Sequence, residues 1–258
     1  EAEKIIGDWT VSHCPVYDFV SEDGIGHTVW VIDRPETIRS LEDQFQNAAD
    51  FYIADGHHRA ASAVKVGLKR RKEHPDFSGE EEFNYFLAVL FPENQLKIWD
   101  YNRVVTDLGG LSEEEFLEKV KGRFQIREME QQKSPSAKHQ ISMYLKGRWY
   151  SLTALEGSFD ETDPVERLDV TILQKNLLGP VLGIEDPRRD ERIQFVGGIR
   201  GLEELVRLAD EKKEAAAFAM YPTSMEDLME IADQGKIMPP KSTWFEPKLR
   251  SGLFIHEL

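Results

Sequence analysis

The densest chemistry in the chain is Asp55-Gly56-His57-His58-Arg59. A glycine lets the backbone turn and come close to a ligand. Where a helix starts, its first N–H groups have no partner within the helix and together form an anion site. A guanidinium adds a planar fork that matches phosphate oxygens. Asp55 can hold a divalent cation, accept a proton or orient a neighbouring imidazole. His57 and His58 offer general acid–base chemistry or metal ligation. Asp55, His57 and His58 are therefore the candidate catalytic residues, and Asp55 is also the candidate metal ligand. Gly56 and Arg59 are the candidate phosphate-binding residues. The plainer alternative is that Asp55 caps a helix which the histidines merely begin.

Other candidates carry less. Gly197-Gly198-Ile199-Arg200-Gly201 lies between a strand pattern and a helix pattern, the context of a phosphate cradle, and Arg200 is its cation. It lacks the G-x-G-x-x-G spacing of a dinucleotide fingerprint, so a simple tight turn explains it equally well. Lys241-Ser242-Thr243 echoes the end of a P-loop, but two prolines precede it and no helix-forming run follows. A P-loop is rejected, and a ligand contact by Lys241 or Ser242 stays open. His27, after Gly24-Ile25-Gly26, is a third imidazole. With His57 and His58 it would make the ligand set of a metal-dependent hydrolase. His13, His74, His139 and His256 lack metal spacing, and Cys14 has no partner base.

These residues need elements to position them. The β-branched run 27–32 reads as a strand and 36–45 as a helix. Phe51–Ala54 reads as a short buried strand leading into the Asp55-Gly56 turn. The helix 58–72 that follows sets Ala61, Val64 and Leu68 on one face. The apolar run 84–91 predicts a strand, with 96–105 as its hairpin neighbour. After Gly109-Gly110, Ser112 with Glu115 fits a capping box opening a helix to Lys121. Strands 139–145 and 148–153 flank Lys146-Gly147, a tight hairpin. Asp163-Pro164 starts a helix through Leu178. Strand 193–196, helix 202–212, strand 215–221 and helix 224–234 then alternate. The tail 238–248 reads as irregular, basic and aromatic. The class is α/β, with α+β mixing, in two units, 1–108 and 109–258.

The segment Tyr52-Ile53-Ala54-Asp55-Gly56-His57-His58-Arg59-Ala60-Ala61-Ser62-Ala63 resembles the signature of the family catalogued as domain of unknown function 1015. Tyr17-Asp18-Phe19, the segment Asp23–Trp30, Phe195–Gly201 and Met238–Thr243 extend the resemblance over essentially the whole chain. Members of that family are longer at the N-terminus. Together with the opening Glu1-Ala2-Glu3, which has no methionine, this leads to the expectation of a fragment. The Gly-His-Arg turn also resembles the phosphate-binding turn of the ParB/sulfiredoxin superfamily. That resemblance implies a ParB/sulfiredoxin-like first unit and a CTP or ATP ligand. In some members it implies free-serine kinase activity. It gives Gly56 and Arg59 the phosphate, with Asp55, His57 and His58 around the reacting group.

Composition bounds these readings. The chain has 258 residues, with 32 Lys+Arg against 47 Asp+Glu, a net charge of −15. That balance argues against gripping nucleic acid over a broad surface and against anchoring to anionic membrane. Hydrophobic residues at 40% are ample for a core. A single cysteine and no secretory segment point to a reducing, cytoplasmic setting. The expected function is an enzyme that binds a phosphorylated metabolite or nucleotide such as ATP or ADP, with Mg²⁺ or another divalent cation near Asp55. Phosphotransfer or phosphohydrolysis on a small metabolite is the expected reaction, and serine as substrate rests on the resemblance alone. The rivals are a non-catalytic nucleotide- or anion-responsive module and the metal-dependent hydrolase.

Overall fold

The structure, a computed structural model, describes residues 1–212 and 215–257. The chain divides into two units, Glu1–Ile53 and Ala54–Leu258. The first unit runs α1 (Ala2–Ser12), β1 (Tyr17–Val20), β2 (Gly26–Val29) and α2 (Pro35–Gln46). Trp9 is its anchor. The indole N–H donates to the Val31 carbonyl at 3.1 Å, and the ring stacks on His13 with centroids 3.7 Å apart. Proline at the first position of α2 costs no hydrogen bond there. β1 and β2 form an antiparallel hairpin in which Thr28 donates to Asp18 at 3.1 Å.

The second unit begins with α3 (His57–Glu73), then β3 (Lys97–Trp99), β4 (Tyr101–Val105), α4 (Glu113–Lys121), β5 (Phe124–Met129), β6 (Gln140–Leu145) and β7 (Arg148–Ala154). It continues with α5 (Asp169–Leu173), β8 (Ile193–Gly197), α6 (Gly201–Asp210), β9 (Ala216–Ala219), α7 (Met225–Asp233) and β10 (Trp244–Glu246). Six strands form one sheet in the order β5-β7-β6-β9-β4-β8, every neighbouring pair antiparallel. β10 and β3 make a separate two-stranded sheet.

Strand periodicity divides the core. Side chains alternate across a strand, so Val105, Met143, Leu145 and Phe218 face one way. There they join Phe116 and Val120 of α4 and Ile172 and Leu173 of α5. Val104, Tyr144, Ala217 and Ala219 face the other way, against Leu205 and Ala209 of α6. β8 and β9 both run antiparallel to β4, so they are parallel to each other, and α6 is the crossover between them. The result is a mixed α+β fold.

Local signals held. Ser112 and Glu115 form the expected capping box on α4. Lys146 (φ +46°) and Gly147 (φ +83°) close the β6–β7 hairpin in the mirror-image turn that suits strand twist. Non-local ones failed. The apolar runs 51–54 and 84–91 form no strand among the described residues. Phe51, Ile53, Phe86, Leu87 and Leu90 are instead exposed, since a strand needs a ladder partner. Residues 96–105 split at Asp100 into β3 and β4, which pair with different strands. β4 therefore lies before the expected 108/109 boundary yet pairs with β8 and β9 beyond it. The long helix expected from Asp163 is reduced to α5 and a π-helical turn over Gln174–Leu178. Val64 and Leu68, the expected buried face of α3, are exposed.

Candidate functional site

Gly56 sits in the left-handed region at φ +83°, and α3 starts at the next residue. Asp55 does not cap that helix. Its Oδ1 accepts the N–H of Gly56 at 2.7 Å, and among the described residues no side chain caps the first turn of α3. The early N–H groups of a helix with 17 residues are thus left for another acceptor. Arg59 folds back onto the glycine: a Cβ on Gly56 would lie 2.9 Å from Arg59 Nη2 and 3.0 Å from its Nε. Glycine is required here by the backbone angle and by the guanidinium lying on its open face.

A third charge arrives from far along the chain. Lys248 Nζ donates to Asp55 Oδ2 at 3.1 Å, across 193 residues. Burial alone would raise the Asp55 carboxyl. The Lys248 and Gly56 hydrogen bonds and the positive charges of Lys248 and Arg59 outweigh it and hold the group below its ordinary value. Two cations thus share one carboxylate at a helix N-terminus. His57 and His58 lie on the exposed first turn of α3 beside them.

Lys248 is delivered by β10. Trp244 pairs with Trp99 and Glu246 with Lys97 across the β10–β3 ladder. The Glu246 carboxylate accepts the Trp244 indole N–H at 2.8 Å and the Lys248 backbone N–H at 3.1 Å, fixing the bend past the strand. The Trp244 ring lies flat on the end of β8, where a Cβ on Gly197 would come 2.8 Å from it. Next to it a Cβ on Gly198 would lie 1.9 Å from Asp100 Oδ1. The paired glycines of this turn therefore make room for an indole and a carboxylate, which is the reason for the motif in this fold. Asp100 accepts from Asn102 at 2.6 Å, and burial raises its carboxyl above the ordinary value.

The tail segment joins the same network. Lys241, at φ +59°, holds its ammonium 5.7 Å from the Tyr101 ring centroid, and Tyr101 meets Trp244 edge-on at 5.3 Å. Lys248 Nζ is in turn 5.3 Å from the Trp244 ring. The Lys241 segment, the Gly197-Gly198 turn and the Asp55–Arg59 turn are thus connected through Tyr101, Trp244 and Lys248. Arg103 adds a buried strut, its guanidinium bonding the Tyr101 carbonyl and donating to the Lys241 carbonyl at 2.9 Å. Burial lowers its guanidinium to about 10.

The remaining candidates have local partners. Arg200 is exposed and pairs with Glu204 along α6 at 3.5 Å. Ser242 is buried, donates to the Pro239 carbonyl at 2.7 Å and accepts from Thr223 through its own carbonyl at 3.1 Å, so its hydroxyl closes a turn. His27 is on the β1–β2 hairpin of the first unit, 3.1 Å from Ser21 Oγ and stacked on Phe19. Among the described residues no group of three or more His, Cys, Asp or Glu side chains comes together to hold a metal ion. Lys248, Trp244 and Asp100 escaped the sequence reading. Their one local signal was the alternation in Trp244-Phe245-Glu246, whose middle side chain is buried.

Residues 1–171 match the model of a family described as a protein of unknown function, DUF1015. No curated protein matches the chain. Among solved structures, a mutant free serine kinase in complex with AMP is 16% identical, with 75% of this chain and 66% of that one covered and a TM-score of 0.39. This chain thus spans about two thirds of that protein's length. A conserved hypothetical protein from Pyrococcus furiosus is 17% identical, with 81% of each chain covered and a TM-score of 0.40. SbnI from Staphylococcus aureus, truncated at its C-terminus, is 11% identical, with 99% of this chain and 77% of that one covered and a TM-score of 0.44. Likenesses this loose transfer no residue role.

Proposed function

The chain belongs to DUF1015, a family of unknown function, and for this member we propose a phosphate- or nucleotide-binding enzyme that transfers or hydrolyses a phosphoryl group on a small metabolite. The observation that carries the reading is the turn itself. The Arg59 guanidinium lies on Gly56 at the uncapped start of α3, with Lys248 brought alongside. Convergent cations and free N–H groups match the oxygens of a phosphate. Phosphoryl transfer draws most of its catalysis from such positioning and charge neutralisation.

Asp55, ionised at neutral pH, would accept the proton of an attacking hydroxyl or water. The oxygen that loses the proton bonds to phosphorus. The leaving oxygen departs with its electron pair, Arg59 balancing the charge and His57 or His58 returning a proton. A resident metal does not fit the described residues, because Asp55 is the turn's single carboxylate and no group of three or more His, Cys, Asp or Glu side chains forms around it. A divalent ion would enter, if at all, on the phosphates of a nucleotide; no step here depends on it.

Calorimetric titration with inorganic phosphate, ADP and ATP tests the binding. Saturable binding by the parent, lost in Arg59→Ala, is expected; identical behaviour of the two proteins would sink the site. The ion pair of Asp55 with Lys248 favours a second reading, a binding module without turnover. Release of phosphate from ATP or a phosphate ester, absent in Asp55→Asn, decides for the enzyme.

A further inference from the structure

The sequence offered Asp55, Gly56, His57, His58 and Arg59 as a complete local cluster, yet its strongest charged contact is with Lys248 on the tail. A surface lysine ordinarily samples many rotamers and contributes little through an exposed ion pair. Lys248 is different because its backbone is fixed from two sides. The β10–β3 ladder holds the strand before it, and the Glu246 carboxylate clamps both the Trp244 indole and the Lys248 N–H. Trp244 is itself laid on Gly197, where no side chain larger than hydrogen fits beneath the ring. The lysine stem then passes the indole, with Nζ 5.3 Å from the ring, and ends 3.1 Å from Asp55 Oδ2. The groups at that ammonium are Asp55 from the turn and Trp244 from the β10 strap that carries the lysine, and the positive charge of Arg59 acts on the same Asp55 carboxylate.

We propose that Lys248 is a positioning residue of the turn, its ammonium shared between the Asp55 carboxylate and an anion held on Gly56 and Arg59. This rests on the phosphate-site reading and extends it to the tail. One ammonium has three donors, so it can bond Oδ2 and an anion oxygen together, at the cost of weakening its hold on Asp55. Anion binding and the proton affinity of Asp55 are thereby coupled. An arriving phosphate draws the cation toward itself, and Asp55 becomes the stronger base where a hydroxyl must be deprotonated. Asp55 in turn competes with the anion for the lysine, which keeps affinity moderate.

Inorganic phosphate is titrated calorimetrically at low salt into the full chain and into Arg59→Ala, Lys248→Met, Lys248→Arg and Asp55→Asn. The Asp55 carboxyl is followed by carbon NMR across pH. Lys248→Met is expected to weaken phosphate by about fivefold and to raise the Asp55 titration midpoint, with Lys248→Arg restoring most of both. Asp55→Asn is expected to tighten phosphate, and to lose that gain when combined with Lys248→Met. If the parent binds phosphate, Arg59→Ala abolishes it, and Lys248→Met matches the parent in affinity and Asp55 midpoint, the inference is overturned while the site stands. If the parent binds neither phosphate nor ADP, the site reading falls and the inference with it.

Discussion

At residue scale the site depends on one glycine. The left-handed φ of +83° at Gly56 is costly for any residue with a Cβ, by roughly 1–2 kcal/mol. That Cβ would also push on the Arg59 guanidinium, at 2.9 Å. Gly56→Ala is therefore expected to lose on the order of 1 kcal/mol of stability and, separately, to lose phosphate binding because Arg59 is displaced. Urea unfolding reads the first and calorimetry the second. A variant of full stability that binds normally would show that neither the angle nor the close approach matters. Gly7 is the control. It is exposed in the middle of α1, and a Cβ there would meet nothing within 4 Å, so Gly7→Ala should gain up to about 1 kcal/mol in helix propensity.

At the scale of elements, the paired glycines where β8 ends make a sharper claim. Gly198→Ala would drive a methyl into the Asp100 carboxylate, 1.9 Å away, at the junction of β3 and β4. Overpacking of this kind costs about 1–3 kcal/mol, and here it also shifts the strands that carry the strap. Reduced urea midpoints with weakened Lys248-dependent phosphate binding are expected, and unchanged unfolding would refute the packing role. These glycines show where the sequence ran out. Ser112 with Glu115, Ser224 at the start of α7 and Lys146-Gly147 were legible because their partners lie within a few residues. The need for Gly197 and Gly198 comes from Trp244 and Asp100, which nothing local announces. The run 84–91 has strand composition, but composition does not supply a ladder partner. The Asp55–Arg59 cluster was legible as chemistry; its cation from position 248 was not.

At the scale of the whole molecule, the net charge of −15 predicts that lowering pH relieves self-repulsion, and one buried group adds to that trend. Asp169, at 8% exposure, opens α5 and accepts the backbone N–H of His139 at 2.7 Å. Burial pushes its carboxyl up to about 7, against the pull of the His139 hydrogen bond and of Lys138, while nearby Asp227 adds to the rise. The folded protein therefore holds this proton more tightly than the unfolded chain does. Its contribution to stability is most favourable below the ordinary aspartate range near 4. It declines as pH rises toward about 7 and is level above that. At about 1.4 kcal/mol per unit, the loss amounts to a few kcal/mol over the window. Asp169→Asn keeps an oxygen for the His139 N–H and removes the titration. Urea unfolding of the two proteins should nearly coincide near pH 4 and separate steadily up to pH 7, with the variant the more stable. Because general charge repulsion acts equally on both, the difference between them isolates Asp169. A constant gap across pH would mean that the carboxyl titrates alike in the folded and unfolded chains, and that its burial costs nothing.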